Sequence, residues 1–138
     1  MTVEKLSSDA ESFPDLEVEY EDLLELGYAP DRRAAEGQID CLGVVLEVYR
    51  RAGLGLPDPR RGRPTTEFQG LFEQVAAPDA LYDLVNLDRG CHHLYVCVRS
   101  GVLLSARAGA GVYAIPAKRL AGKTGTTYWR LTDAARPV

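Results

Sequence analysis

Cys41, His92 and His93 are the residues whose types could carry chemistry together. A cysteine becomes a nucleophile as thiolate, and it needs a base that first activates it and later protonates the leaving group. Asp40 has the character of a helix N-cap, so Cys41 opens the helix that follows. A helix start presents unpaired N–H groups and a partial positive charge, and both favour thiolate. The same N–H groups can hold an acyl-transfer oxyanion. The plain alternative is a small cysteine buried on a core face. The two histidines open the run HHLYVCV, which reads as a strand. Cysteine early on a helix and histidine later on a strand can serve this chemistry, which requires spatial rather than sequential adjacency.

Other constellations are weaker. Cys91, His92, His93 and Cys97 offer metal-ligand types within seven residues. On a strand, however, His92 and His93 point to opposite faces, and no Cys-x-x-Cys or His-x-x-x-His spacing occurs. No metal or cofactor is expected. AGKT at 121–124 mimics the end of a phosphate loop, but Ala117 stands where that motif needs glycine, so a turn is the better reading. Arg60, Arg61 and Arg63 form a basic loop that reads as solvated surface. Cys91 and Cys97 read as ordinary strand cysteines, because one strand cannot supply disulfide geometry between them.

The elements that must position Cys41 and the histidines can be read along the chain. Residues 1–15 form a flexible, polar N-terminal segment, and 16–138 form one domain. Apolar residues from Leu16 to Leu26 fit a helix stripe that stops at Gly27. Residues 28–39 read as a loop. After Asp40, the spacing of Leu42, Val45, Leu46 and Tyr49 predicts a helix that ends near Gly53. Thr65 or Thr66 could cap a short helix through Val75, with Phe68, Leu71 and Phe72 inward. From residue 81 the runs LYDLVNL, HHLYVCVR, GVLLSAR, GVYAIP and TTYWRL read as strands, the last at an apparent sheet edge. PAKRLAG has room for one helical turn. Helices first and strands later indicate an α+β domain with an antiparallel sheet.

Composition bounds the rest. The 138 residues have a formal charge of −4 and are 46% hydrophobic, which excludes wholesale disorder. Residues 1–36 hold 11 acidic against 3 basic side chains, a charge of −8; residues 37–138 hold 9 against 13, a charge of +4. This balance argues against a generic nucleic-acid binder. Three cysteines are too few for a disulfide scaffold. No apolar run reaches the length of a membrane span, and the N-terminus has no signal-peptide pattern, so a cytoplasmic product is expected.

DCLGVVLEVYRRAGLGLPDP, residues 40–59, resembles the nucleophile helix of the NlpC/P-sixty family of cell-wall cysteine peptidases. The likeness rests on Asp40, Cys41, Gly43, Val44, Val45, Tyr49, Arg50, Gly53, Leu56 and Pro57. Gly27 and Tyr28 resemble the family's lead-in, YDLV at 82–85 its Gly-Asp-Leu-Val strand, and YWRL its closing aromatic-aromatic-Arg strand. The family places a glycine eight residues after the catalytic histidine. Gly101 stands eight after His93, so the resemblance selects His93 as base. Its third polar residue lies about twelve after the base, which here is Ser105, a shorter and neutral group. Tyr82 replaces the family's glycine. Leu42 replaces the usual serine after the nucleophile, a variant typical of phage-tail and gene-transfer-particle members.

The resemblance implies a papain-like α+β domain, with the nucleophile at a helix start packed on an antiparallel sheet. It implies a cysteine peptidase that hydrolyses peptidoglycan stem peptides, usually between D-glutamyl and the diamino acid. Cys41, His93 and Ser105 would be catalytic; Tyr28, Asp40 and His92 would line the substrate. The expected partners are a stem peptide and a phage-tail or particle assembly that delivers the protein to the wall. The alternatives are an impaired or structural component with the same fold, and a cysteine amidase or acyltransferase acting on another amide.

Overall fold

The computed structural model describes residues 20–30, 32, 37–54, 56, 71–78, 80–88, 92–99 and 101–132. The segment 1–15 expected to be flexible, the loop expected at Arg60, Arg61 and Arg63, Cys91 and the His92 side chain lie outside them.

Residues 20–24 are helical, and Tyr20 and Leu23 point into the core. Two short strands follow, β1 (Gly27–Tyr28) and β2 (Gln38–Ile39), paired in parallel. The expected loop over 28–39 therefore carries a strand at each end. Helix α1 (Cys41–Arg51) begins at the expected cap: Asp40 has extended backbone, and its carboxylate accepts the Gly43 N–H at 2.7 Å. Such a cap is worth about 1 kcal/mol. Arg50 and Arg51 occupy the last turn, where cations complement the helix dipole.

The main sheet contains β3 (Phe72–Val75), β4 (Leu84–Asp88), β5 (His92–Arg99), β6 (Val102–Arg107), β7 (Gly111–Pro116) and β8 (Thr126–Leu131). The strand order is β3-β8-β4-β5-β6-β7, and every pairing is antiparallel. The protein is thus mixed α+β, with a six-stranded antiparallel sheet and few helices among the described residues. Residues 117–119 form the single helical turn expected between the last two strands.

Two expectations fail together. Residues 72–75 are strand β3, not the end of a helix. Phe72 pairs with Leu131 and Val75 with Tyr128, so β8 lies inside the sheet rather than at its edge. Phe68, Leu71 and Phe72 have helical spacing, and the pairing of residues 72–75 with β8 overrides it. Residues 65–70 of the expected helix lie outside the described residues.

Strands β5, β6 and β7 are buried on both faces. Helix α1 packs on β5 and β6, where Val44, Val45, Val48 and Tyr49 meet Leu94, Val96, Val98, Leu104 and Ala106. The opposite face buries Val85, Tyr95, Cys97, Leu103, Tyr113, Ile115 and Leu120. This explains why the strands read as near-continuous apolar runs rather than clean alternation. The few polar groups left in that interior therefore stand out.

Candidate active site

Cys41 is the first residue of α1, and its half-buried side chain packs at the edge of the helix-side core. Gly43 sets how closely the helix start approaches its lead-in. A Cβ there would stand 2.6 Å from Ile39 Cγ1 and 2.7 Å from the Arg32 carbonyl oxygen. That carbonyl also accepts the Asp40 N–H at 3.2 Å. Tyr28 pairs with Ile39, one residue before the cap. Tyr28, Arg32 and Ile39 and the start of α1 are thus locked together by backbone contacts.

The backbone amides of Leu94, Leu42 and Cys41 near the sulfur favour thiolate. Burial outweighs them and, with the nearby Asp40 carboxylate, pushes the Cys41 pKa above its ordinary value. The helix start therefore does not hold a resting thiolate here. The anion used to cap the helix offsets the positive field on which that expectation rested.

Leu94 immediately follows His93. Leu94 lies on the α1 side of the sheet with Cys41, so the His93 side chain leaves β5 towards the opposite face. His93 belongs to the other alternation set of the strand, with Tyr95 and Cys97. Its Nε2 lies 3.0 Å from the Tyr113 hydroxyl and 3.3 Å from the Ser105 hydroxyl. The Tyr95 ring meets it edge-on, with centroids 4.8 Å apart. Burial, aided by the charge of Arg107, depresses the His93 pKa. Thiol and imidazole are thus both neutral at rest near pH 7. Among the described residues no hydrogen bond joins them.

Ser105 is fully buried, and its hydroxyl donates to the Leu94 carbonyl at 2.5 Å. Tyr113 escaped the sequence reading. The signal was present in the hairpin: the tight turn after Arg107 pairs that residue with Gly111, and the register then pairs Ser105 with Tyr113. The Tyr113 hydroxyl also meets that of Tyr95 at 3.3 Å, and the Arg107 guanidinium lies 4.8 Å from the centre of the Tyr113 ring. Burial raises the Tyr113 pKa far above the ordinary phenol range, so the hydroxyl keeps its proton.

The remaining candidates divide. Asp40 stands at the helix start beside the thiol, and the sheet register pairs His92 with Asp88. Cys97 is buried in the second face, and its thiol donates to the Arg99 carbonyl at 3.1 Å. Among the described residues no three His, Cys, Asp or Glu side chains form a metal-binding group. Among those residues, too, no helix is long and apolar enough to cross a membrane. Residues 121–125 form turns, which is the reading preferred for AGKT.

No protein-family model matches the chain, and no curated protein matches it in sequence.

Proposed function

We propose that this protein is a papain-like cysteine peptidase of the NlpC/P-sixty type that hydrolyses an amide bond in peptidoglycan stem peptides. One observation carries the reading. Cys41 opens the helix that packs on β5, His93 is the second residue of β5, and Ser105 and Tyr113 occupy Nε2 of His93. That leaves Nδ1 as the nitrogen able to take the thiol proton. The motif likeness of residues 40–59 supplies the substrate class.

The reaction starts from neutral partners. As the Cys41 sulfur attacks the scissile carbonyl, its proton passes to His93 Nδ1, a step that requires the imidazole to turn round the start of β5 towards the helix. The tetrahedral oxyanion is held by the Cys41 backbone N–H at the helix start. His93 then protonates the departing amine, leaving a thioester on Cys41. Water attacks the thioester as His93 takes its proton, and the acid leaves as the thiol is restored. Ser105 and Tyr113 hold the resting imidazole. A phage-tail or gene-transfer-particle setting would deliver the enzyme to the wall.

The second reading is a non-catalytic component with the same fold. The depressed His93, the raised Cys41 and the missing hydrogen bond between them favour it. Hydrolysis of purified muropeptides by the wild type, Cys41→Ala and His93→Ala separates the two. Cleavage lost in both variants supports the peptidase, and an inert wild type supports the second reading. Release of product from other amides instead would point to an amidase or acyltransferase.

A further inference from the structure

We infer that Tyr113, rather than Ser105, is the principal positioning residue for His93, and that it fixes the imidazole tautomer through a relay with Tyr95. The inference rests on the reading of Cys41 and His93 as nucleophile and base.

The argument is a proton count. A serine hydroxyl has one proton, and Ser105 spends it on the Leu94 carbonyl at 2.5 Å. Towards His93 it can therefore only accept. The contact at 3.3 Å requires that Nε2 carry the proton. The same N–H faces the Tyr113 oxygen at the shorter distance of 3.0 Å. Tyr113 accepts it only by turning its own proton elsewhere, and the Tyr95 hydroxyl stands at 3.3 Å to receive it. The chain His93 Nε2–H, Tyr113 O–H, Tyr95 O is the one assignment that satisfies all of these contacts at once. It leaves Nδ1 as a bare base.

The packing holds Tyr113 to this task. Its ring meets Tyr95 edge-on and lies beneath the Arg107 guanidinium. Tyr95 also meets the imidazole edge-on. A hydrogen-bonded acceptor whose own proton is engaged polarises further, which strengthens its hold on Nε2–H. The two residues thus supply what the short Ser105 side chain lacks. Both keep their rings when changed to phenylalanine, so packing and proton relay can be separated.

The test pairs nitrogen NMR of His93, assigned with His93→Gln, with steady-state hydrolysis of muropeptides. The wild type is expected to show the Nε2–H tautomer above the imidazole titration. Tyr113→Phe is expected to mix the tautomers and to lower kcat about tenfold or more, a part of what a positioned base contributes, with KM within about twofold. Ser105→Ala is expected to lower kcat less. Tyr95→Phe frees the Tyr113 proton for Nε2 and is expected to shift the tautomer towards Nδ1–H, with a fall in kcat. An Nδ1–H tautomer in the wild type would overturn the inference. So would a Tyr113→Phe variant with unchanged tautomer and kcat. If the wild type cleaves nothing, the peptidase reading fails, and the tautomer shifts still decide what Tyr113 does. If Cys41→Ala abolishes cleavage while Tyr113→Phe leaves it intact, the peptidase stands and this inference falls.

Discussion

Asp83 and Arg130, 47 residues apart, close a two-point ion pair: Nε to Oδ1 at 2.9 Å and Nη2 to Oδ2 at 2.7 Å. The Asp83 side chain is 1% exposed, and that of Arg130 32%. Asp83 also accepts the Ala80 N–H at 3.0 Å. The pair fastens the turn before β4 to β8, and so braces the strand that pairs with β5. Removing one partner strands a buried charge, which costs about 3 kcal/mol. Arg130→Ala is therefore expected to lower unfolding stability by roughly that amount in urea titration. A loss below about 0.5 kcal/mol, typical of a surface pair, would show that the carboxylate finds other solvation.

Gly43 has no room for a methyl group. Gly43→Ala would gain helix propensity of up to about 1 kcal/mol but places Cβ against Ile39 and the Arg32 carbonyl. The backbone contact cannot yield cheaply, so the net effect is expected to be a loss of about 1–3 kcal/mol. Displacement of the helix start should also reduce hydrolysis. A stabilised, fully active variant would contradict this close approach.

Asp40 acts on Cys41 in two opposing ways. Its carboxylate caps α1 and raises the thiol pKa by its charge. Asp40→Asn keeps an acceptor for the Gly43 N–H and removes the charge. It is expected to leave stability nearly unchanged and to speed alkylation of Cys41 at pH 7.5. Asp40→Ala should speed alkylation too, at a cost of about 1 kcal/mol for the lost cap. Slower alkylation in both would refute the electrostatic role. Cys97 is a second free thiol, so the modified residue is identified by peptide mass.

The pH dependence follows from two shifts of opposite sign. The folded His93 pKa lies below the ordinary 6.5, so the unfolded chain binds this proton more tightly. Its contribution to stability is complete above 6.5 and is lost as pH falls through the folded value. Cys41 is raised above the ordinary 9.0, so its contribution is complete below 9.0 and is lost as pH rises through the folded value. From these groups stability should plateau between 6.5 and 9.0, with an acid limb that His93→Gln removes. Iodoacetamide alkylation of Cys41 should still be rising at pH 9. A rate already flat at pH 7 would indicate a resting thiolate and contradict the burial argument.

Much of the scaffold was legible from local signals. Asp40 marks the start of α1, and glycine and serine mark the ends of β5, β6 and β7. The site was partly legible: the twelve-residue count from His93 to Ser105 brings two side chains within 3.3 Å because β5 and β6 form a tight hairpin. What escaped was non-local. β3 reads as the end of a helix until β8 is laid beside it. Tyr113 is an unremarked tyrosine until the β6–β7 register sets it opposite Ser105. Tyr82 illustrates a further limit. It has a φ of 70°, held by its edge-on contact with Tyr49 and by the Tyr49 hydroxyl on its carbonyl. The packing secures this left-handed backbone in a residue other than glycine.

The most direct test is mass-detected hydrolysis of a defined stem peptide by the wild type, Cys41→Ala and His93→Ala, each verified as folded. The account predicts turnover by the wild type and a loss of about 10³-fold or more in each variant. Wild-type protein that cleaves no stem peptide, or a Cys41→Ala variant that cleaves as fast as the wild type, would contradict it.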